Sequence, residues 1–480
     1  MSAAVSRKAE FGLGVAAGLT ALTVGLACLD KRTAICDQSE NIIVQEESGV
    51  KTSSLNCLCE QSKSSVSKRS IDERKQTYIL AGDIGGTNSR FALYRQGDEQ
   101  KKPMFVQVYS NEEALKNKTE SSIIRRILDA LVGKDAPKYH HATLQPFLET
   151  CLNEVEEWKE LGKEEVLSQI QVVACLATAG PVTMNNDVHM VNLGKKGGDI
   201  DGNEIEQCQD ELIALVVRCK LINDFVGQGY GMLDLDFSNE KEVIELLPGS
   251  KAKMNDLAPK CCVGAGTGLG ECFLTKSSLA TEKGYECYPS EGGHADFVPR
   301  GPLEVELLDY LKKKIEREDR IISDRISVER VVSGRGLANV YEFLAQKFPE
   351  RVDKKVHEEF LNAGDQQGRV VGENSGTDGS LTQQAMKIMC AAYGAEVGNA
   401  ALKFLPRGGM FVTGGLIPKI IDTNIVMIQG ENSPFMKAYL DKGRFEKEVR
   451  SIPLFAVMTE DVGLRGARVI AEREYKAMKK

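Results

Sequence analysis

Leu221-Ile222-Asn223-Asp224-Phe225 reads as a buried strand that ends on a polar pair and passes into a helix over 226–235. A carboxylate at the carboxyl end of a parallel strand stands where open α/β sheets bind their ligands, so Asp224 is a candidate catalytic base. The competing reading is a helix N-cap, because Asn and Asp side chains accept from the free N–H groups of a first helical turn. Taken alone, the cap is the stronger reading. The sequence on either side reverses the balance.

Upstream, Thr77-Tyr78-Ile79-Leu80-Ala81-Gly82-Asp83 is rich in strand formers, and Arg90-Phe91-Ala92-Leu93-Tyr94 resumes the alternation after Ile84-Gly85-Gly86-Thr87-Asn88. The pair reads as a hairpin with a glycine-rich turn whose N–H groups can line a concavity for phosphate oxygens. Any hairpin can carry Gly-Gly, but a plain turn has no need of Asp83 before it, a candidate metal–water ligand, or of the donors Thr87 and Asn88 after it. Between 96 and 170 the apolar spacing predicts helices over 123–131 and 147–161. The Asn117-Lys118-Thr119 sequon is read as chance. A strand over 171–177 closes on Thr178-Ala179-Gly180-Pro181, and 182–192 reads as a hairpin ending at Asn192, with His189 an ordinary strand residue.

Downstream, Gly264-Ala265-Gly266-Thr267-Gly268-Leu269-Gly270 places four glycines in seven residues between two strands, a second candidate phosphate cradle. It lacks the Gly-Lys-Ser/Thr ending and following helix of a Walker loop. In Ser290-Glu291-Gly292-Gly293-His294-Ala295-Asp296-Phe297, Glu291 and His294 bracket two glycines, so both side chains can converge on one small ligand; a solvated surface turn is the bland alternative. Metal binding fits poorly, as no further ligand cluster lies near in sequence. Sugar hydroxyls, which donate and accept, suit Glu, His and Asn together. Glu329, in Ser327-Val328-Glu329-Arg330-Val331-Val332, is another candidate contact, although a solvated helix-face glutamate is the usual case. The run 364–380 reads as a mobile polar loop, 383–404 as a long helix, and 408–412 as a strand reaching Thr413-Gly414-Gly415. A strand over 452–457 and a helix over 463–478 complete the pattern.

The whole chain has 480 residues, 27% charged and 42% hydrophobic, enough for two well-cored domains with extensions and too polar for a membrane bundle. A net charge of -8 argues against general nucleic-acid binding. The 13 cysteines are scattered without zinc-site spacing and fit small hydrophobes in a reducing compartment. Phe11 to Leu29 is uncharged, with Arg7 and Lys8 before it and Asp30, Lys31 and Arg32 after it. It reads first as a single-pass membrane anchor facing the cytoplasm, and otherwise as a cleaved signal or part of a plastid or mitochondrial targeting segment. Residues 30–76 have the polar composition of a tether.

Taken in order, Asp83-Ile84-Gly85-Gly86-Thr87-Asn88-Ser89-Arg90, Ile222 to Phe225, Gly264 to Gly270, Glu291 to Phe297, Ser327 to Gly334 and Thr413-Gly414-Gly415 resemble the bacterial-type glucokinase family over about 77–480. The Glu-Gly-Gly-His and Val-Glu-Arg-Val segments are its specific parts; the Asp-x-Gly-Gly-Thr turn is shared with the wider hexokinase and actin-like group. A repressor/kinase-type sugar kinase is disfavoured, because that group's cysteine-rich zinc motif is missing after His294.

The resemblance implies two α/β domains of the ribonuclease H-like, actin-like kind flanking a substrate cleft. Residues 77–233, joined by a C-terminal helix over 463–480, would form the smaller and 234–462 the larger, after an N-terminal segment over 1–76. It implies glucose as acceptor and ATP with Mg2+ as donor, and a second copy of the chain is a candidate partner. By carry-over, Asp224 is the general base for the 6-hydroxyl, and Asn223, Glu291, His294 and Glu329 bind other hydroxyls, with Asn192 near a further sugar-side asparagine. Asp83 would orient the metal through water. Gly85, Gly86, Thr87 and Asn88, with Gly266, Thr267 and Gly268, would hold phosphates, and Gly414 and Gly415 would lie by the adenosine. The stretches 96–170 and 346–380 look expanded against the family core, and 1–76 has no counterpart. Competing readings are a kinase for another hexose, a membrane-tethered glucose sensor without turnover, and an actin-like or chaperone-type ATPase, which has no use for Glu291 and His294.

Overall fold

The structure is a computed structural model and describes residues 69–86, 88–111, 139–190, 198–210, 212–277 and 284–479. The expectations for Phe11 to Leu29, the sequon at Asn117, the helix over 123–131, Thr87 and Asn192 fall outside those residues. Among the described residues no helix is long and apolar enough to cross a membrane.

The first sheet is built on β1 (Gln76–Ile84), which forms an antiparallel hairpin with β2 (Asn88–Arg95), and β3 (Phe105–Ser110) adds to the outer edge. On its other side β1 runs parallel to β4 (Ile170–Thr178). A ribbon of β5 (Asp187–His189) and β6 (Asp199–Asp201) precedes β7 (Val216–Asn223), which is parallel to β4 and gives the order β3-β2-β1-β4-β7. All nine residues of β4 are buried, as a parallel strand covered on both faces requires. The two-residue period of β1 sends Tyr78, Leu80 and Ile84 to one face and Ile79 and Ala81 to the other. The first face packs on α1 (Leu144–Glu154) and α2 (Glu156–Gln169), with Phe147 and Trp158 in that core. A positive φ at Gly162 breaks α2.

After β7 comes α3 (Asp224–Met232), and then the second sheet, which contains β8 (Val243–Glu245), β9 (Lys260–Ala265), β10 (Leu269–Lys276) and β11 (Tyr285–Ser290). The helices α4 (Pro302–Asp319), α5 (Gly334–Lys347), α6 (Gln367–Glu373) and α7 (Leu381–Phe404) precede β12 (Met410–Thr413). Helix α8 (Leu416–Asn424), β13 (Leu454–Val457) and α9 (Val462–Met478) complete the chain. The order is β11-β10-β9-β12-β13-β8. The first topology thus recurs, as an antiparallel three-strand meander continued by two parallel strands, β12 and β13. Two related α/β domains, the expected fold class, are what the chain forms.

The sequence over 364–380 is not the loop anticipated from its polarity. It contains a 3-10 turn, Gly364–Gln366, and α6, whose Val370 and Val371 are buried. Gly368 makes the fit: a Cβ there would overlap the Gly334 carbonyl, so the two backbones pack directly and the apolar pair reaches the core.

Between the lobes, α9 covers the Ile79/Ala81 face of the first sheet and crosses α3. The crossing is made of glycine. A Cβ on Gly466 would overlap the Gly227 carbonyl, and one on Gly231 would overlap the carbonyl of Val462. The same core continues into Cys262, Cys272, Leu274, Phe411 and Phe455 of the second sheet, so both sheets share α3 and α9 as a common wall.

Candidate functional site

At the end of β7 the two competing readings of Asn223-Asp224 resolve onto different residues. Asn223 is the N-cap of α3: its Oδ1 accepts from the Phe225 N–H at 2.9 Å and its Nδ2 donates to the Gly180 carbonyl at 3.2 Å. Asp224 is the first helical residue and takes only a share of the same N–H, at 3.0 Å. Its carboxylate is thereby fixed in direction and left available to a ligand. Burial first, and then the like charge of Asp83, lift the Asp224 carboxyl to about 7, with Glu291 adding to the shift.

Asp83 lies near the end of β1, beside Ala177 of β4 and opposite Arg90 of β2. Burial raises its carboxyl to about 6, against the lowering effect of Arg90. Asp83 and Asp224 are both partly exposed, so protein surrounds much of each side chain while water or a ligand still reaches it. The N-terminus of α9 closes over Asp83: a Cβ on Gly463 would come within 2.7 Å of Oδ2. Arg90 in turn donates to the Glu460 carbonyl at 2.7 Å and to its carboxylate at 3.2 Å, tying the hairpin to the approach of α9.

The Gly85-Gly86 turn closes through the Gly85 N–H to the Asn88 carbonyl at 2.9 Å, and Asn111 Nδ2 donates to the Gly85 carbonyl at 2.8 Å. In the second cradle the glycines have separate reasons. A Cβ at Gly264 or Gly270 would collide with the Phe225 ring, and one at Gly268 would sit 2.5 Å from Glu329 Oε2. Gly266 has open space around it, with the Gly415 nitrogen nearest at 4.0 Å, and Thr267 is exposed. Gly414 holds φ of 88°, and a Cβ there would meet the Ala265 carbonyl, so this strand end requires glycine. Tyr393 of α7 binds the neighbouring strand ends together: its hydroxyl accepts from the Ala265 N–H at 3.1 Å and faces the Thr413 carbonyl at 3.1 Å. Gly266 to Gly268 and Gly414-Gly415 thus follow the ends of the neighbouring inner strands β9 and β12.

Glu291 precedes and His294 ends a 3-10 turn, their side chains exposed and 3.9 Å apart. Arg325 clamps this loop, donating to the His294 carbonyl and to Asp296 Oδ1, both at 2.7 Å. Glu329 lies on the next 3-10 turn, Val328–Arg330, but its Oε2 accepts from the Leu269 N–H at 2.9 Å rather than standing clear on a helix face. A cavity of about 260 Å³ lies between the lobes, lined by Pro181, Val182, Ile222, Asn223, Ser290 and Glu291. Asn223 and Glu291 therefore line the same cavity, with Asp224 next to Asn223 in the chain, whereas His294 and Glu329 lie outside that lining. A larger cavity, about 670 Å³, between Leu246–Lys253 and Ile425–Glu431 contains none of these groups.

Reading the sequence did not single out Arg90, Asn111 or Glu271. Glu271 is 2% exposed beneath Gly292, with no hydrogen-bond partner for Oε1. Its signal was a charged residue at a core-facing position of β10.

A glycine-cradled, two-lobed α/β phosphotransferase is the class that this fold and these groups define. A family model described as Glucokinase matches residues 80–474, and the chain belongs to the glucokinase family. It is 40% identical to a glucokinase of Synechocystis over 82% of this chain and 97% of that one. A glucokinase of Nostoc is 33% identical over 83% of this chain and 99% of its own length. Among solved structures, a Balamuthia mandrillaris glucokinase in complex with glucose shares the fold with a TM-score of 0.59 and 19% identity, over 84% of this chain and 95% of that one.

Proposed function

We propose that the chain transfers the γ-phosphoryl group of ATP to the 6-hydroxyl of D-glucose. The observation that carries this reading is Asp224, a carboxylate freed from capping by Asn223, raised toward neutrality, and set beside Glu291 at the mouth of a sugar-sized recess. A base with its proton affinity near the working pH can take the hydroxyl proton as the oxygen attacks. Asn223, Glu291, His294 and Glu329 would bind the remaining hydroxyls, joined by Asn192. Asn223 and Glu329 already hold backbone groups, and each keeps a second lone pair or proton for the sugar. Gly85, Gly86, Thr87 and Asn88 from one lobe, and Gly266, Thr267 and Gly268 from the other, would surround the phosphates, with Gly414 and Gly415 by the adenosine. Most of the rate then comes from alignment and charge stabilisation.

The donor set suits Mg2+. Asp83 and Asp224 are oxygen-only groups whose proton affinity is raised first by burial, with the charge of Asp83 adding to the shift at Asp224, and buried carboxylates of this kind suit a hard cation. Asp83 would hold the ion through water; when bound, it offsets charge on the phosphates. Phe11 to Leu29, uncharged and set between charged segments that contain Arg7, Lys8, Lys31 and Arg32, supports the further proposal of a membrane anchor with the kinase on an ATP-rich side. A second copy of the chain would make a homodimer, which sedimentation of the full chain tests.

Asp224→Asn should lower kcat by about 10²- to 10⁴-fold, the usual contribution of a positioned base. Calorimetric glucose binding should largely survive. Near-parental kcat in that variant would sink the assignment, and a parent that binds glucose without forming glucose 6-phosphate would be a sensor instead.

A further inference from the structure

Away from the cleft, two segments distant in sequence bring three metal-binding side chains together. His140 and His141 lie on the short helix Tyr139–Ala142, and Cys208 caps the helix Gly202–Gln207. One ligand atom from each lies within 4.8 Å of the other two. Neighbouring residues on a helix normally diverge. Here the two imidazole centroids are 4.3 Å apart, both turned to the same side. His140 is 4% exposed and the His141 side chain 26%, so the group is rooted in the protein yet open to solvent on one flank.

Both segments are held independently of any ligand. Arg69 donates to the Cys208 carbonyl at 3.3 Å and to the Ala214 carbonyl at 3.0 Å, fixing the Cys208 turn. The Tyr139 hydroxyl contacts Ser89, which is bonded to Asn111, and Asn111 holds the Gly85 carbonyl. Asp210 lies against both His141 and Cys208: its Oδ2 is 3.2 Å from His141 Nδ1, and its carboxylate also hydrogen-bonds the Cys208 thiol. A carboxylate bonded to an imidazole nitrogen fixes its tautomer and raises its basicity, the usual support of a metal-ligating histidine.

We propose that His140, His141 and Cys208 form a binding site for Zn2+, with Asp210 orienting His141 and water completing the coordination. Two imidazoles and a thiolate are borderline-soft donors, suited to zinc and unsuited to Mg2+ or Ca2+. The site is thus chemically separate from the carboxylates of the cleft. Occupied, it would staple Tyr139–Ala142 to the turn before β7, and through Tyr139, Ser89 and Asn111 would brace the Gly85 turn.

The full chain, stripped with chelator, is titrated with Co2+ and then Zn2+. The expected result is one tight equivalent showing thiolate-to-cobalt charge transfer and the intense visible bands of a tetrahedral ion, displaced by Zn2+. Loss of a group one shell out costs roughly 10- to 100-fold in metal affinity, so Cys208→Ser should cost about 100-fold or more and abolish the charge-transfer band. His141→Ala should weaken binding comparably. Circular dichroism of each metal-free variant, matched to the metal-free parent, shows that it is folded, and added Zn2+ should raise the melting temperature of the parent alone. An unchanged cobalt spectrum in Cys208→Ser overturns the proposal, as does a parent that binds no Co2+.

Discussion

At Asn223-Asp224 the choice between cap and catalytic carboxylate dissolves, because adjacent residues take one role each. The geometry predicts the pH behaviour. Asp224 serves as base when ionised, so kcat/KM at low substrate should rise with pH through the neutral range, with an apparent midpoint belonging to the Asp83–Asp224 pair. Removing one like charge lets the other carboxyl ionise more readily. In Asp83→Asn, the residual activity should therefore show its midpoint at lower pH; an unmoved midpoint would mean that the two groups are not coupled. Glu271 makes a different prediction, on stability. Burial, with the charge of Glu396 adding to it, raises its carboxyl from 4.5 to about 7, so the folded state holds the proton more tightly than the unfolded chain. Its contribution is complete below about pH 4.5 and is lost as pH rises through 7, up to roughly 3 kcal/mol. Glu271→Gln, compared with the parent by urea unfolding at several pH values, should remove that loss and be the more stable protein at pH 8; parallel pH curves would refute it. Asp83 and Asp224 were legible because each ends an apolar run. Glu271 was not, since facing the core depends on its register against Val263 of β9. Nor was the Arg90–Glu460 contact, which spans 370 residues.

Among elements, the strands β1, β9, β12 and β13 were readable, because their period-two alternation maps directly onto the two cores each sheet separates, whereas β3, in a stretch read as helices and loops, and β8 and β11 were not. Helix α6 was misread for the opposite reason: its glycines suggest a loop, whereas Gly368 is there to let α5 approach. The α3/α9 crossing shows the same logic and can be tested. Gly466→Ala places a methyl group on the Gly227 carbonyl, an overpacking that should cost about 1–3 kcal/mol and, by displacing Gly463 from Asp83, reduce kcat as well. Gly372→Ala provides the contrast. It lies in α6 with only the flexible end of Met386 nearby, at 3.8 Å, so the substitution should gain about 0.5–1 kcal/mol from reduced chain entropy. Chemical denaturation of both variants decides it; equal effects would mean that the crossing is looser than its geometry.

Across the whole molecule the doubled α/β topology was implied by the family resemblance that the strand-ending motifs carry, while its joining could not be read, because the wall shared by the sheets comes from α3 and α9 together. A chain starting at Ser67 keeps Arg69 and its bonds to Cys208 and Ala214, and should retain the parental kcat. If Phe11 to Leu29 is an anchor, that shortened chain will fractionate as soluble and the full chain with membranes; equal partition refutes the anchor, and a mature N-terminus beyond residue 30 points to import. The position of α9 also bears on how the protein is made. While the ribosome works through β1 to β13, the Ile79/Ala81 face of the first sheet lacks its cover and Asp83 lacks the helix end that closes over it. Synthesis proceeds from the N-terminus, so such a nascent chain carries exposed apolar surface until α9 emerges, making it a natural client for chaperones. Turnover can begin only once that helix has docked, which makes catalytic activity a direct readout of completed folding.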